Sequence, residues 1–201
     1  MRTWIRKHTR LLNVLHWLRL SDAHSQMIDS EKESLKKYAF EKKNALEIGT
    51  YMGVTAVIIA RSIDKNGRLY CVDPFLDRFG KNPGLSIAER GLRRAGVEQK
   101  VVFLKGFSSD KIIISQIPDD LDFVLVDGDH SYEGLKNDWA IVRNKLKPNG
   151  LVCLHDTIIP PEEPYRYFGS VDFFNEVITK DSEFEIIDRC YSMTILRRLP
   201  K

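Results

Sequence analysis

The chain has 201 residues, 43% of them hydrophobic and 29% charged, with a formal net charge of +3. That length suits one domain with a substantial core, and the composition excludes a disordered chain. So small a charge gives no ground for a nucleic-acid partner, and no stretch reaches the roughly 18 apolar residues of a membrane span.

Residues 1–20 carry Arg2, Arg6, Lys7, Arg10 and Arg19 without a single acid. Trp4, Leu11, Leu12, Leu15 and Leu18 recur at helical spacing, which predicts an amphipathic helix or pair of helices. Such a helix packs on the domain or on a second subunit, so a homodimer is expected; contact with an anionic membrane surface is the lesser alternative. The uncharged run Leu11–Leu18 is broken by Asn13 and His16, and no small-residue cleavage site follows, so a secretory signal is not expected. Cys71, Cys153 and Cys190 are odd in number, far apart, and set in apolar runs. They read as buried thiols of a cytoplasmic protein, not as disulfides or a zinc site.

Ser30–Phe40 reads as a helix, with Ser30 and Glu33 as its capping box. Residues 44–49 form a short apolar strand with one acid, Glu47, followed by Gly49, Tyr51 and Gly53, and then by a helix over 54–64. A buried strand, a glycine-containing turn and a helix N-terminus make the first crevice of a doubly wound sheet, where a ligand meets backbone N–H groups. The spacing Gly49-x-x-x-Gly53 lacks the third glycine of the dinucleotide fingerprint, which counts against a nicotinamide-dependent reductase. Strand two, Arg68–Val72, ends in Asp73-Pro74. An acid there, about 20 residues past the glycine turn, is placed to accept from a ribose diol.

The loop 76–84 leads to a helix over Leu85–Ala95, and strand three, Val101–Leu104, runs into Lys105-Gly106-Phe107-Ser108-Ser109-Asp110. Leu121–Val126 is the near-continuous apolar strand expected in the middle of a parallel sheet. It delivers Asp127-Gly128-Asp129-His130-Ser131-Tyr132, and a helix to Leu146 ends in the stop and tight turn Lys147-Pro148-Asn149-Gly150. Strand five, Leu151–Leu154, delivers His155-Asp156-Thr157. Residues 158–168, with three prolines, form a lid or substrate wall; a helix over 171–179 and an antiparallel edge hairpin around Arg189-Cys190 close the chain.

The expected fold class is therefore α/β: a Rossmann-like doubly wound sheet, mostly parallel, with an antiparallel C-terminal hairpin strand. Residues 1–43 form a helical cap, dimer contact or substrate segment, and 44–201 the main domain. Right-handed crossovers put every strand's C-terminal end on one side. Glu47, Asp73, Ser108, Asp127, Asp129, His130, His155 and Asp156 thus converge on one rim.

The runs Asp127-Gly128-Asp129-His130-Ser131-Tyr132-Glu133-Gly134, Leu146–Gly150 and His155-Asp156-Thr157 resemble the S-adenosylmethionine (SAM) dependent methyltransferases of the cephalosporin-hydroxylase and macrolide sugar O-methyltransferase type. They are more distantly similar to catechol and caffeoyl-CoA O-methyltransferases. The resemblance covers roughly 44–157 plus the closing hairpin of the class I fold. It implies that Glu47, Gly49, Tyr51 and Gly53 line the methionine end of SAM, and that Thr55 contacts its carboxylate. Asp73 would take the ribose, and Phe107 and Ser108 would flank the adenine, with Asp127 also at the cofactor. Catechol-type enzymes hold a divalent metal such as Mg²⁺ through an acid after strand four and an acid–amide pair after strand five. The matching positions here are Asp127, His155 and Asp156, and the imidazole favours a softer ion than Mg²⁺. His130 stands where those enzymes carry a lysine base, and an imidazole can take a hydroxyl proton. His155 is the rival base, and Asp127 completes the catalytic set.

The implied activity is O-methylation of a hydroxyl on a small molecule, a sugar or secondary metabolite, with a divalent metal assisting. A non-catalytic SAM-fold partner or regulatory subunit is the alternative from another class. Intact Asp127, His130 and Asp156 argue against it.

Overall fold

The computed structural model describes residues 14, 15, 18, 23–75, 83–165 and 167–200. The amphipathic helix expected over residues 1–20 and the loop expected from residue 76 fall largely outside the described residues. Seven strands form one sheet in the order β3-β2-β1-β4-β5-β7-β6. They are β1 (Asn44–Ile48), β2 (Arg68–Asp73), β3 (Val101–Lys105), β4 (Leu121–Val126), β5 (Leu146–Leu154), β6 (Phe184–Cys190) and β7 (Met193–Arg198). The first five are parallel; β7 runs antiparallel to both β5 and β6. The doubly wound sheet with its antiparallel closing hairpin is the architecture the sequence predicts.

Period-two side-chain alternation assigns each strand's residues to the two faces. Leu46 and Ile48 of β1, with Val124 and Val126 of β4, meet the helices α4 (Lys111–Gln116), α5 (Tyr132–Lys145) and α6 (Gly169–Glu176). Ala45, Phe123 and Leu125 meet α1 (Asp29–Ala39), α2 (Val54–Ser62) and α3 (Pro83–Ala95) on the other side. All six residues of β4 are buried, as a central parallel strand requires.

Four local expectations need correction. α1 starts at Asp29, and its first turn is closed by Glu31, whose Oε2 accepts from Ile28 N at 3.1 Å, not by Ser30 and Glu33. Lys147–Gly150 is not a turn: β5 begins at Leu146 and runs through it, with Asn149 at φ 62° and a register shift between Leu121 and Phe123. The bulge absorbs the turn-forming residues inside the strand. α4 escaped the sequence reading because Ile112-Ile113-Ile114 is β-branched and looks like strand. Cys190 is only half-buried, unlike Cys71 and Cys153.

The sheet order reverses direction at β1, whose neighbours are β2 and β4, and a crevice opens there beyond the strand ends. Gly49 sits at its mouth with φ +93°, and a Cβ on it would stand 2.1 Å from the Asp127 carbonyl oxygen. Only glycine permits both the conformation and the approach. Gly49→Ala is expected to cost about 3 kcal/mol or more through strain and displacement of β4's end. At 2–4 °C per kcal/mol for a chain of this size, the thermal midpoint should fall by roughly 6–12 °C. A melt followed by circular dichroism checks this, and an unchanged midpoint would refute the tight packing.

Candidate active site

The cavity beyond the strand ends has a volume of about 580 Å³, within the range of small-ligand sites. Its wall includes Gly49, Tyr51 and Thr55 from the β1–α2 turn and the start of α2, Asp73 after β2, Phe107 and Ser108 after β3, Asp127, Asp129 and His130 after β4, and Phe168 before α6. His24, Ser25 and Gln26, from the segment before α1, also reach it. Glu47, Gly53, His155 and Asp156 are buried behind this wall.

The loop after β1 is built on Asp73. Its Oδ2 accepts from Thr50 N at 2.9 Å and from Tyr51 N at 2.8 Å, while Oδ1 accepts from Phe75 N at 2.5 Å. The residue read as a ribose acceptor thus also holds the glycine loop, with Tyr51 at φ 49° and Gly53 at φ 77°. Glu47 points toward α2 among Thr50, Thr55 and Cys71, and Cys71 Sγ donates to its Oε2 at 3.4 Å. Burial, opposed by the Thr55 and Thr50 hydroxyls, pushes the Glu47 carboxyl up to about 7. Facing the Ser108 side, Ser108 Oγ donates to Asp138 Oδ1 at 2.5 Å. Asp138 is 2% exposed, and burial, opposed by Ser108, raises it to about 7.

The run after β4 is a compact cap. Asp129 Oδ1 and Oδ2 accept from Ser131 N and Oγ, each at 3.0 Å, and Ser131 Oγ accepts from Gly134 N at 3.0 Å to cap α5. A Cβ at Gly134 would lie 2.6 Å from that of Asp129, so this glycine lets the acid fold over the helix start. His130 is thereby held over the cavity, its ring 5.2 Å from that of Phe168. Its Nε2 is 3.8 Å from Asp127 Oδ1 and its Nδ1 is 3.7 Å from Asp156 Oδ2.

After β5, His155 is 3% exposed. Its Nδ1 lies 2.9 Å from Asp127 Oδ1 and 3.6 Å from Asp156 Oδ1, and its Nε2 lies 3.5 Å from Glu31 Oε2. Both ring nitrogens are at ion-pair distance, yet neither meets hydrogen-bonding geometry among the described residues. Burial alone would strip this imidazole of its proton, but Asp127, Glu31 and Asp156 override it and raise it to about 10. Asp156 itself has φ 53°, strain concentrated at the site.

Single ligand atoms of Asp127, His130 and His155 all come within 4.8 Å of one another, so this trio fits a divalent ion. Two imidazoles and one carboxylate suit Mn, Fe, Co or Zn better than Mg²⁺. The trio differs from the expected Asp127, His155 and Asp156 by admitting His130. Sequence reasoning missed Glu31, Asp138 and His24. Asp138 had a signal: it falls at helical spacing among Leu135, Trp139 and Val142, an acid on the apolar side of α5. Glu31 and His24 had none, since only the tertiary fold brings them to the site.

The model of a family described as a methyltransferase domain matches residues 46–157. The tapetum-specific methyltransferase 1 of Arabidopsis thaliana is 25% identical over 78% of this chain and 70% of its own length. A caffeoyl-CoA O-methyltransferase of Pinus taeda is 27% identical over 78% of this chain and 64% of its own. Among solved structures, the O-methyltransferase TomG of Streptomyces achromogenes, in complex with SAM, superposes with a TM-score of 0.70 at 19% identity, covering 93% of this chain and 86% of that one. Such low identity establishes the fold it shares.

The raised acids and the raised imidazole fix how stability depends on pH. Between their ordinary values near 4 and about 7, folded Glu47 and Asp138 keep protons that the unfolded chain has released, so stability falls as pH rises through that window. The His155 contribution is complete below 6.5 and is lost as pH rises toward 10. The thermal midpoint should therefore decline steadily from pH 5 to pH 9. Asp138→Asn and Glu47→Gln should each flatten the part below pH 7. A midpoint that rises with pH, measured by calorimetry, would refute these assignments.

Proposed function

The chain belongs to the methyltransferase-domain family, and from that premise we propose that it transfers a methyl group from SAM to a hydroxyl of a small molecule, a sugar or secondary metabolite. The observation that carries this reading is one cavity lined together by the glycine loop, Asp73, Asp127 and His130. The O-methyltransferase names of its relatives favour oxygen as the acceptor atom.

SAM supplies a methyl carbon on a sulfonium, which an oxygen nucleophile displaces in line. Tyr51 and Thr55, on the wall beside Gly49, bound the methionine end, and Asp73 faces the ribose with the lone pairs that the loop amides leave. Phe107, half exposed at the rim, and Ser108 flank the adenine. Ser108 donates to Asp138, so its own oxygen is left to accept from the ligand.

His130 is the proposed base, because it lies on the cavity wall between the carboxylates of Asp127 and Asp156. Asp127 and Asp156, one beside each ring nitrogen, orient it and stabilise its protonated form. Phe168 covers its face and helps exclude water. His155, sealed behind the wall, cannot reach an acceptor and serves instead to hold Asp127. Were a divalent ion held by Asp127, His130 and His155, the ion would lower the acceptor hydroxyl's pKa and His130 would serve as its ligand, the base role belonging to the metal-free site. In-line displacement needs alignment above all, so positioning supplies most of the rate.

Calorimetric titration of S-adenosylhomocysteine is expected to show micromolar binding, weakened at least tenfold by Asp73→Ala. Absence of binding would overturn the reading. With radiolabelled SAM and a panel of catechols and sugars, His130→Gln should lower kcat by roughly 10²–10⁴. Its affinity for S-adenosylhomocysteine should stay within about threefold of wild type, since the proposed role touches the acceptor and not the cofactor.

A further inference from the structure

Glu31 is the least expected member of the site. It lies in the first turn of α1, outside the matched segment, and has no solvent exposure. Ser192 N and Oγ, from the turn between β6 and β7, donate to its Oε1 at 3.1 and 2.7 Å, and Ile28 N donates to its Oε2 at 3.1 Å. Those bonds tie a helix to a turn. They leave unexplained why Oε2 also stands 3.5 Å from His155 Nε2. The ring turns one nitrogen to Glu31 and the other to Asp127, and at nine-tenths buried and more it has no partner of proper hydrogen-bonding geometry among the described residues.

We propose that Glu31 is the positioning residue of a divalent transition-metal site at Asp127, His130 and His155, accepting Nε2–H so that Nδ1 faces the ion. A ligating imidazole characteristically passes its second N–H to a carboxylate, which fixes tautomer and ring orientation and strengthens the donor. Glu31, His155 and Asp127 stand in that order, and His130 closes the trio from the cavity side. The two imidazoles favour Mn, Fe, Co or Zn over Mg²⁺, and Glu31 fixes one of them in its ligating orientation. This rests on the metal-assisted reading of the site and extends it to the helical segment before β1.

The test uses the full chain, stripped with chelator, and Mn²⁺ as the probe, followed by calorimetry and by the electron paramagnetic resonance of the free ion. Wild type is expected to bind one Mn²⁺ and to hold Mg²⁺ more weakly. Glu31→Gln should weaken Mn²⁺ by 10- to 100-fold and leave S-adenosylhomocysteine affinity unchanged. In a His155→Ala background the same change should add nothing, because Glu31 acts through the ring. The visible spectrum of bound Co²⁺ should shift in Glu31→Gln, which a purely structural carboxylate would not cause. Equal Mn²⁺ affinity in wild type and Glu31→Gln, or the same loss in both backgrounds, overturns the proposal. If Glu31→Gln fails to fold, Glu31→Asp keeps the charge but withdraws it by one methylene: weaker Mn²⁺ supports the proposal, unchanged affinity overturns it. No Mn²⁺ binding by a wild type that still binds S-adenosylhomocysteine removes the metal site and leaves the methyltransferase reading standing. Loss of both removes that reading as well.

Discussion

The contact on which the site depends is backbone against backbone: Gly49 at the end of β1 lies against the carbonyl of Asp127 at the end of β4. Asp127 N donates to Ile48 O at 2.8 Å, and Gly49 N donates to Val72 O at 2.9 Å, so three strand ends are pinned at one point. Chain crossovers leave β1 in opposite directions there, which opens the crevice. Every polar group argued to matter is positioned from that junction. Asp73 closes the loop on one side, and the Asp129–Ser131–Gly134 cap aims His130 from the other. A side chain at position 49 would separate the two halves by more than any rotamer adjustment could restore.

The second constraint is electrostatic. Asp127, Asp156 and Glu31 surround His155 in a region almost without solvent, and two or three carboxylates sharing one cation leave excess negative charge. Breaking a buried pair is expensive because it strands a charge, so each member makes the others necessary. This reciprocity explains why an acid from α1 reaches so far into the fold. The same excess of acid is a general invitation to a second cation. His130, which approaches Asp127 and Asp156 from the cavity, supplies further donor atoms at the edge of the cluster. Proton and metal ion are then alternative occupants of the same negative pocket, with the imidazole nitrogens deciding between them.

How much of this was legible in the sequence follows from how local each signal is. The β1–glycine turn–α2 unit, the largely apolar β4 and the closing hairpin are written in period and turn residues, and they survive with their ends shifted by a few residues, the hairpin turn moving from Arg189-Cys190 to Tyr191-Ser192. The D-G-D-H run was readable for a similar reason: its bonds close within six residues, from Asp129 to Gly134. What failed was context. Lys147-Pro148-Asn149-Gly150 has turn chemistry, yet the pairing of Leu146 with Leu121 carries the strand through it as a bulge. Three consecutive isoleucines favour a strand, but a short helix forms there and packs Ile113 under the sheet. Glu31 had a local explanation as a capping residue, and nothing nearby in sequence signals an imidazole 124 residues further on.

The resemblance drawn from the sequence implies oxygen ligands after β5, and a histidine there changes the site more than the exchange of one ligand suggests. A carboxylate or amide coordinates through an oxygen and needs no partner behind it. An imidazole has two ends, and a buried ring needs both satisfied. The second nitrogen of His155 can be met only from the α1 side, where the fold supplies Glu31 and Ser192 supplies two donors to keep that carboxylate in place. The substitution and its support are therefore one unit, spread over α1, β5 and the β6–β7 turn. A chain that kept His155 but lost Glu31 would leave a buried imidazole nitrogen without its carboxylate, a cost of the kind that burial of any unpaired polar atom carries.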